Sequence, residues 1–255
     1  MSKMPLLFIG HGSPMNAIEE NSFTRGWAEI AARISKPEAI VCVSAHWTTD
    51  GSHVCDEAHP KTVYDMYGFP PALYEVKYDS PGAPDVAHKV KALAPEVQID
   101  NSWGIDHGAW SVLRVMYPNA DIPLIQLSLN LKGDRQYHFE LGRKLNSLRE
   151  KGALILGSGN VVHNLGRINW DMNGGYGWAL EFDDYIRENI ERREFQNVVD
   201  YRKAGKSAQE AFYTTEHFDP LLYILGASDE NDSLTVLNNE CALGSLSMTC
   251  YLFEA

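Results

Sequence analysis

Residues 41–50 read VCVSAHWTTD. Small and β-branched apolar residues, Ile40 to Val43, lead into Ser44-Ala45-His46-Trp47 and then turn polar. A short apolar run of this kind, bounded by polar residues, reads as a buried strand over 39–45. Working outward, the same signature recurs at 5–10 (PLLFIG), 123–129 (PLIQLSL) and 153–158 (ALILGS). Between these runs the apolar spacing becomes helical. Residues 23–35 form one such segment. Residues 85–94 carry Val86, Val90 and Leu93 on one face. Residues 107–117 stop before Pro118, and 135–151 align Leu141, Leu145 and Leu148 and stop at Gly152. Residues 178–199 read as one long or broken helix, and 221–225 as a short one.

Strand and helix alternate, which predicts an α/β fold with a mostly parallel sheet covered on both faces. Residues 234–237 and 245–253 read as an antiparallel pair, because the second stretch alternates. The expectation is a single α/β domain over 1–255, with a mixed central sheet flanked by helices and a C-terminal β-hairpin. The stretch 48–80 is rich in Pro, Gly and Tyr and long for a plain connection, so it reads as a lid or binding loop.

Composition narrows the function classes. A chain of 255 residues with 44% hydrophobic and 22% charged residues has the make-up of a globular enzyme. The net charge of −12, without a Lys/Arg cluster, argues against nucleic acid as a partner. No segment reaches the ~20 apolar residues of a membrane span. The N-terminal stretch MSKMPLLFIGHGSP has too short an apolar run for a secretory leader. The four cysteines form no C-x-x-C pair, and Cys42 and Cys250 lie in apolar runs. Their usage suggests a reducing compartment, with the cytoplasm as the expected location. The oligomeric state has no signature in the sequence.

Nine histidines are present. His53, His59, His88 and His138 read as ordinary loop or helix residues. His11 and His46 do not, because each follows a strand, and ligands of open α/β sheets bind beyond the carboxyl ends of strands. Gly10 and Gly12 flank His11 and would let the backbone approach a ligand closely. His163 follows the fourth strand, and His107 precedes a helix in Asp106-His107-Gly108. Trp47 reads either as core or as a shield on one side of the site. A transition-metal site needs three or four donors. His217 is the best further donor, with Glu216 and Asp219 competing for the same role.

Taken together, GHGSPM (10–15), SAHW (44–47), GFPPALYEVKY (68–78), WGIDHGAW (103–110), GSGNVVHNL (157–165) and EHFDPLLYILGA (216–227) resemble the class III extradiol ring-cleavage dioxygenases. The closest likeness is to their DOPA 4,5-extradiol branch. The motifs span most of the chain in order. The resemblance implies a mononuclear metal site with His11, His46 and His217 as ligands. It implies His163 as a catalytic base near enough to be a fourth ligand to zinc, and His107 as a second acid/base or substrate-contacting group. The wider family commonly uses two histidines and a glutamate. Histidine in the third position, as here, leaves the site one charge more positive.

The implied cofactor is one divalent metal per chain, Zn²⁺ or Fe²⁺. The implied partners are a catechol-type, DOPA-like substrate and O₂, and the implied product is a muconic semialdehyde. Zinc has no accessible redox couple, so Fe²⁺ is required for the dioxygenase reaction. Tyr64, Tyr67, Phe69 and Tyr74 could wall an aromatic pocket or merely pack the long loop. A zinc hydrolase using a metal-bound water is the competing enzyme class, although H-E-x-x-H is lacking. A non-catalytic metal-binding protein and a structural metal are the remaining readings.

Overall fold

A computed structural model describes residues 3–255; residues 1–2, at the start of the stretch read as carrying no leader, lie outside the described residues. The strands are β1 (Leu6–Gly10), β2 (Ala39–Thr49), β3 (His53–Val54), β4 (Gln98–Ile99), β5 (Leu124–Asn130), β6 (Ala153–Gly159), β7 (Ser233–Leu237), β8 (Cys241–Ala242), β9 (Leu246–Ser247) and β10 (Cys250–Glu254). The helices are α1 (Ser22–Arg33), α2 (Pro71–Tyr74), α3 (Pro84–Leu93), α4 (His107–Met116), α5 (Arg135–Leu145), α6 (Gly177–Glu191), α7 (Phe195–Val199), α8 (Lys206–Glu210) and α9 (Asp219–Ala227). The predicted long segment over 178–199 is therefore broken, between α6 and α7, where Arg193 takes a left-handed φ of 59°.

Eight strands form one sheet in the order β4-β3-β5-β2-β6-β1-β10-β7. Its centre, β5-β2-β6-β1, is parallel throughout. β10 runs antiparallel to both β1 and β7, which supplies the expected hairpin and makes the sheet mixed. Side chains alternate across a strand, so the apolar runs feed two cores. Phe8, Val41, Val43, Leu127 and Ile155 pack on one face with residues of α3, α5, α6 and α9. Leu7, Ile9, Ile40, Cys42 and Leu156 pack on the other with residues of α1 and α4. All four cysteines are free and buried. Among the described residues no helix is long and apolar enough to cross a membrane.

Two features position the site. The carboxyl ends of β1, β2 and β6 lie side by side, because these three strands are adjacent and parallel. The second feature is an irregularity in β2. Val43 pairs with Leu127 and the next paired residue, Thr48, pairs with Leu129, so five steps along β2 match two along β5. Residues 44–47 bulge out of that ladder, as extra residues in a strand do when they re-aim a side chain. His46 therefore sits on a bulge inside β2 rather than beyond the end of a strand closing at residue 45.

Candidate metal centre

His11 leaves β1 directly, and its backbone N–H donates to Gly159 O at 3.0 Å, tying it to the end of β6. The flanking glycines serve the protein rather than a ligand. A Cβ on Gly10 would lie 2.7 Å from the Met248 backbone, and one on Gly12, at φ 59°, would lie 2.5 Å from the Met248 sulfur. His217 lies just before α9, and its carbonyl accepts from the Asn160 backbone N–H at 2.7 Å. A Cβ on Gly159 would collide with that same carbonyl. His163 is held by a strap: its N–H donates to Ala211 O at 2.9 Å, and the next residue, Asn164, donates to Ser245 O at 3.1 Å. His107 opens α4, which Asp106 caps through a bond from the Ala109 N–H at 3.3 Å.

These four histidines meet His46 from the β2 bulge. One nitrogen each of His11, His46 and His217 lie within 4.8 Å of one another. His11 Nε2 and His46 Nε2 are 3.3 Å apart. Two imidazoles bound to one zinc at ~2.05 Å in tetrahedral geometry would place their nitrogens about 3.3 Å apart. Tautomer chemistry points the same way. Ser158 Oγ–H donates to Gly108 O at 2.5 Å, so its oxygen must accept from His11 Nδ1–H, 2.9 Å away. His11 Nε2 is then a bare lone pair aimed at a second ring nitrogen. Either a proton on His46 Nε2 or a cation between the rings resolves that contact, and the donor set suits a transition metal.

The protonation states agree with this. Burial, reinforced by the neighbouring imidazoles, holds His11 and His217 well below the ordinary histidine pKa. Burial, reinforced by the proximity of His46, lowers His107 and brings His163 down to about 4. Neutral imidazoles are what a metal requires of its ligands.

The competing carboxylates stand elsewhere. Glu216 Oε1 is 3.4 Å from His217 Nδ1. Asp219 Oδ2 accepts from Thr215 Oγ1 at 2.8 Å and faces His138 at 3.8 Å. His163 stands beside the convergent trio and stacks face to face on His217, with ring centroids 3.5 Å apart at 4°. His107 lies 3.8 Å from His46, centroid to centroid. Trp47 is buried.

The aromatic residues of the long loop mostly pack that loop. Tyr64 O–H donates to Val76 O at 2.5 Å, and its ring lies 6.3 Å from Tyr74 and 5.9 Å from Trp110. Tyr74 Oη accepts from the Phe69 N–H at 3.4 Å, while Tyr67 is 91% exposed. The loop contributes something else that spacing did not flag. Asp65 Oδ2 is 3.1 Å from His46 Nδ1 and 2.9 Å from His107 Nδ1. Burial opposes its charge, yet the hydrogen bonds from His107 and His46 keep its pKa well below the usual carboxylate range.

Residues 4–250 match the family described as the catalytic LigB subunit of aromatic ring-opening dioxygenase. A 4,5-DOPA dioxygenase extradiol of Escherichia coli (strain K12) is 44% identical, over 97% of this chain and 93% of its own length. The 4,5-DOPA dioxygenase extradiol of Beta vulgaris is 36% identical, over 97% of this chain and 96% of its own. That of Mirabilis jalapa is 33% identical, over 92% and 91%. A crystal structure of an uncharacterized Escherichia coli K12 protein superposes with a TM-score of 0.86 at 39% identity, covering 98% of this chain and 99% of that one. A family match spanning nearly the whole sequence, with full-length relatives well above 30% identity, means that this chain belongs to the LigB family of extradiol, aromatic ring-opening dioxygenases.

Proposed function

We propose that this chain, as one catalytic domain over 1–255, opens a catechol-type, DOPA-like substrate with O₂ beside the diol to give a muconic semialdehyde. We assign one divalent metal to His11, His46 and His217, with Fe²⁺ needed for turnover, and the cytoplasm as the location. The observation that carries this reading is the 3.3 Å approach of the His11 and His46 Nε2 atoms, with His217 completing the group. The activity by which the relatives are named supports the choice of substrate class.

Bound at those nitrogens, Fe²⁺ would acidify the diol and link its electrons to O₂, an exchange for which zinc has no accessible redox couple. The protein's own groups do the rest. His11 and His217 are buried and His46 is half-buried, and the three rings are held from the end of β1, the bulge in β2 and the turn before α9, so their donor atoms need little reorganisation. His163 takes a catechol hydroxyl proton on its imidazole. Its burial makes it a weak base, suited to a hydroxyl already acidified and to returning the proton later in the cycle. Its stacking on His217 favours the role of base over that of fourth ligand. His107 serves as the second acid/base group.

The test is anaerobic reconstitution with Fe²⁺, then O₂ uptake on addition of DOPA. The expected result is stoichiometric O₂ consumption and a yellow product. Metal-loaded protein that consumes no O₂ with DOPA or with simpler catechols overturns the reading.

A further inference from the structure

The three-imidazole set lacks the carboxylate that a two-histidine, one-carboxylate site would bring, and Asp65 lies where it can return that charge. It belongs to the irregular stretch between β3 and α3, but its backbone is anchored. The Val63 N–H donates to Ile105 O and the Ile105 N–H to Lys61 O, both at 2.8 Å. Trp110 Nε1 donates to Val63 O at 2.9 Å. Asp65 follows two residues later, accepts from the ring and the backbone of His107, and is approached by His46. His46 Nδ1 is 3.1 Å from Oδ2, His107 Nδ1 is 2.9 Å from Oδ2, and the His107 backbone N–H donates to Oδ1 at 3.0 Å.

An ionised carboxylate can only accept. The His107 ring must therefore carry its proton on Nδ1, and the approach of His46 Nδ1 to the same oxygen assigns it the same tautomer, which leaves both Nε2 atoms as bare lone pairs. For His46 that lone pair is the one facing His11 Nε2. For His107 it makes Nε2 an acceptor. We propose that Asp65 is the positioning residue of this site: it fixes His46 as an Nε2 ligand, makes His107 enter the reaction as a base rather than an acid, and supplies through the His46 N–H the negative charge missing from the ligand set. Orienting carboxylates of this kind raise ligand basicity. This assignment deepens the proposed function and rests on its metal trio. It also joins the long loop to the metal, because a single side chain on that loop holds two of the site's rings.

The experiment has two parts. Long-range ¹H–¹⁵N NMR on ¹⁵N-histidine-labelled, metal-free wild-type protein reads the tautomers, with His46→Ala and His107→Ala assigning the signals. Both rings are expected as Nδ1–H; an Nε2–H tautomer at either one overturns the proposal, whether or not Asp65→Asn folds. The second part is Zn²⁺ affinity by chelator competition for Asp65→Asn, with Asp56→Asn as control. Asp56 lies on the same stretch but bonds Asn101. Asp65→Asn is expected to weaken Zn²⁺ binding about 10–100-fold and to abolish the fixed tautomer; Asp56→Asn should do neither. Affinity within twofold of wild type in Asp65→Asn overturns the proposal. Wild-type protein that binds no Zn²⁺ brings down the metal trio instead, and the tautomers still judge Asp65.

Discussion

Strands β1 and β6 carry a buried polar cluster at each end, and the two clusters are built in opposite ways. At the amino ends stands Arg149, fully buried. It bonds Asp232 bidentately at 2.8 and 2.9 Å, and its Nε donates to Met4 O at 2.7 Å. Asp232 in turn accepts from the Asp229 N–H at 2.9 Å. Charge is balanced and the guanidinium is satisfied. At the carboxyl ends, the bare His11 Nε2 points at His46 Nε2, and the proposed Nδ1–H tautomer of His46 leaves no donor between them. A closed network braces a fold; an open one is completed by a ligand. Burial alone does not separate the two, since each cluster has a buried centre. What separates them is whether the hydrogen-bond inventory closes.

The contrast can be broken experimentally, beginning with the largest effect. His46→Ala or His11→Ala should reduce metal to background by elemental analysis and eliminate O₂ uptake, while far-UV circular dichroism stays native. An unchanged metal content would show the cluster is closed after all. His163→Ala should lower kcat about 10²–10⁴-fold in steady-state kinetics and leave metal content near wild type. A parallel fall in metal would move His163 into the ligand set. Arg149→Met should do the reverse. It strands Asp232 and should cost about 3–5 kcal/mol in denaturant unfolding, with full metal stoichiometry in the folded fraction.

The smallest effect is on pH dependence in the metal-free protein. Burial lowers His138 to about 4. Between that value and the ordinary ~6.5 only the unfolded chain binds this proton, so stability should fall as pH drops from ~6.5 towards 4. Asp183 runs the other way. Burial raises it to about 6, against the hydroxyl bonds from Ser247 and Thr249. The folded state keeps that proton between ~4 and 6, so the contribution is lost as pH rises through 6. Melting temperature against pH should therefore fall less steeply on acidification in His138→Gln than in wild type, and more steeply in Asp183→Asn.

Much of the site was legible in the sequence because strands are short and local. Apolar runs ending in Gly10-His11 and Ala45-His46 announce both the parallel sheet and the rim where its ligands gather. The choice among Glu216, His217 and Asp219 was not legible, since all three fit the spacing; the turn into α9 sends only His217 towards the others. Gly10 and Gly12 were read for ligand approach, yet the tight neighbour is Met248, far away in the chain. Tyr64 and Tyr74 face each other because the loop folds back on itself. Asp65 carries no local signal at all. It lies 42 residues from His107 in a stretch without periodicity, and only the pairing of that stretch with Ile105 brings the two together. β3 and β4, two residues each, are too short for a pattern to register.

The bulge in β2 also sets how this strand tolerates changes in length. Because side chains alternate sides with every residue, an odd surplus opposite β5 inverts the sidedness of the strand from Val43 to Thr48. Removing one residue from 44–47 would not merely shorten the arm. Deleting Ser44 or Ala45 would bring Trp47 to the station of His46, offering an indole where an imidazole is needed. Length at this point is thus as strict a requirement as chemical identity.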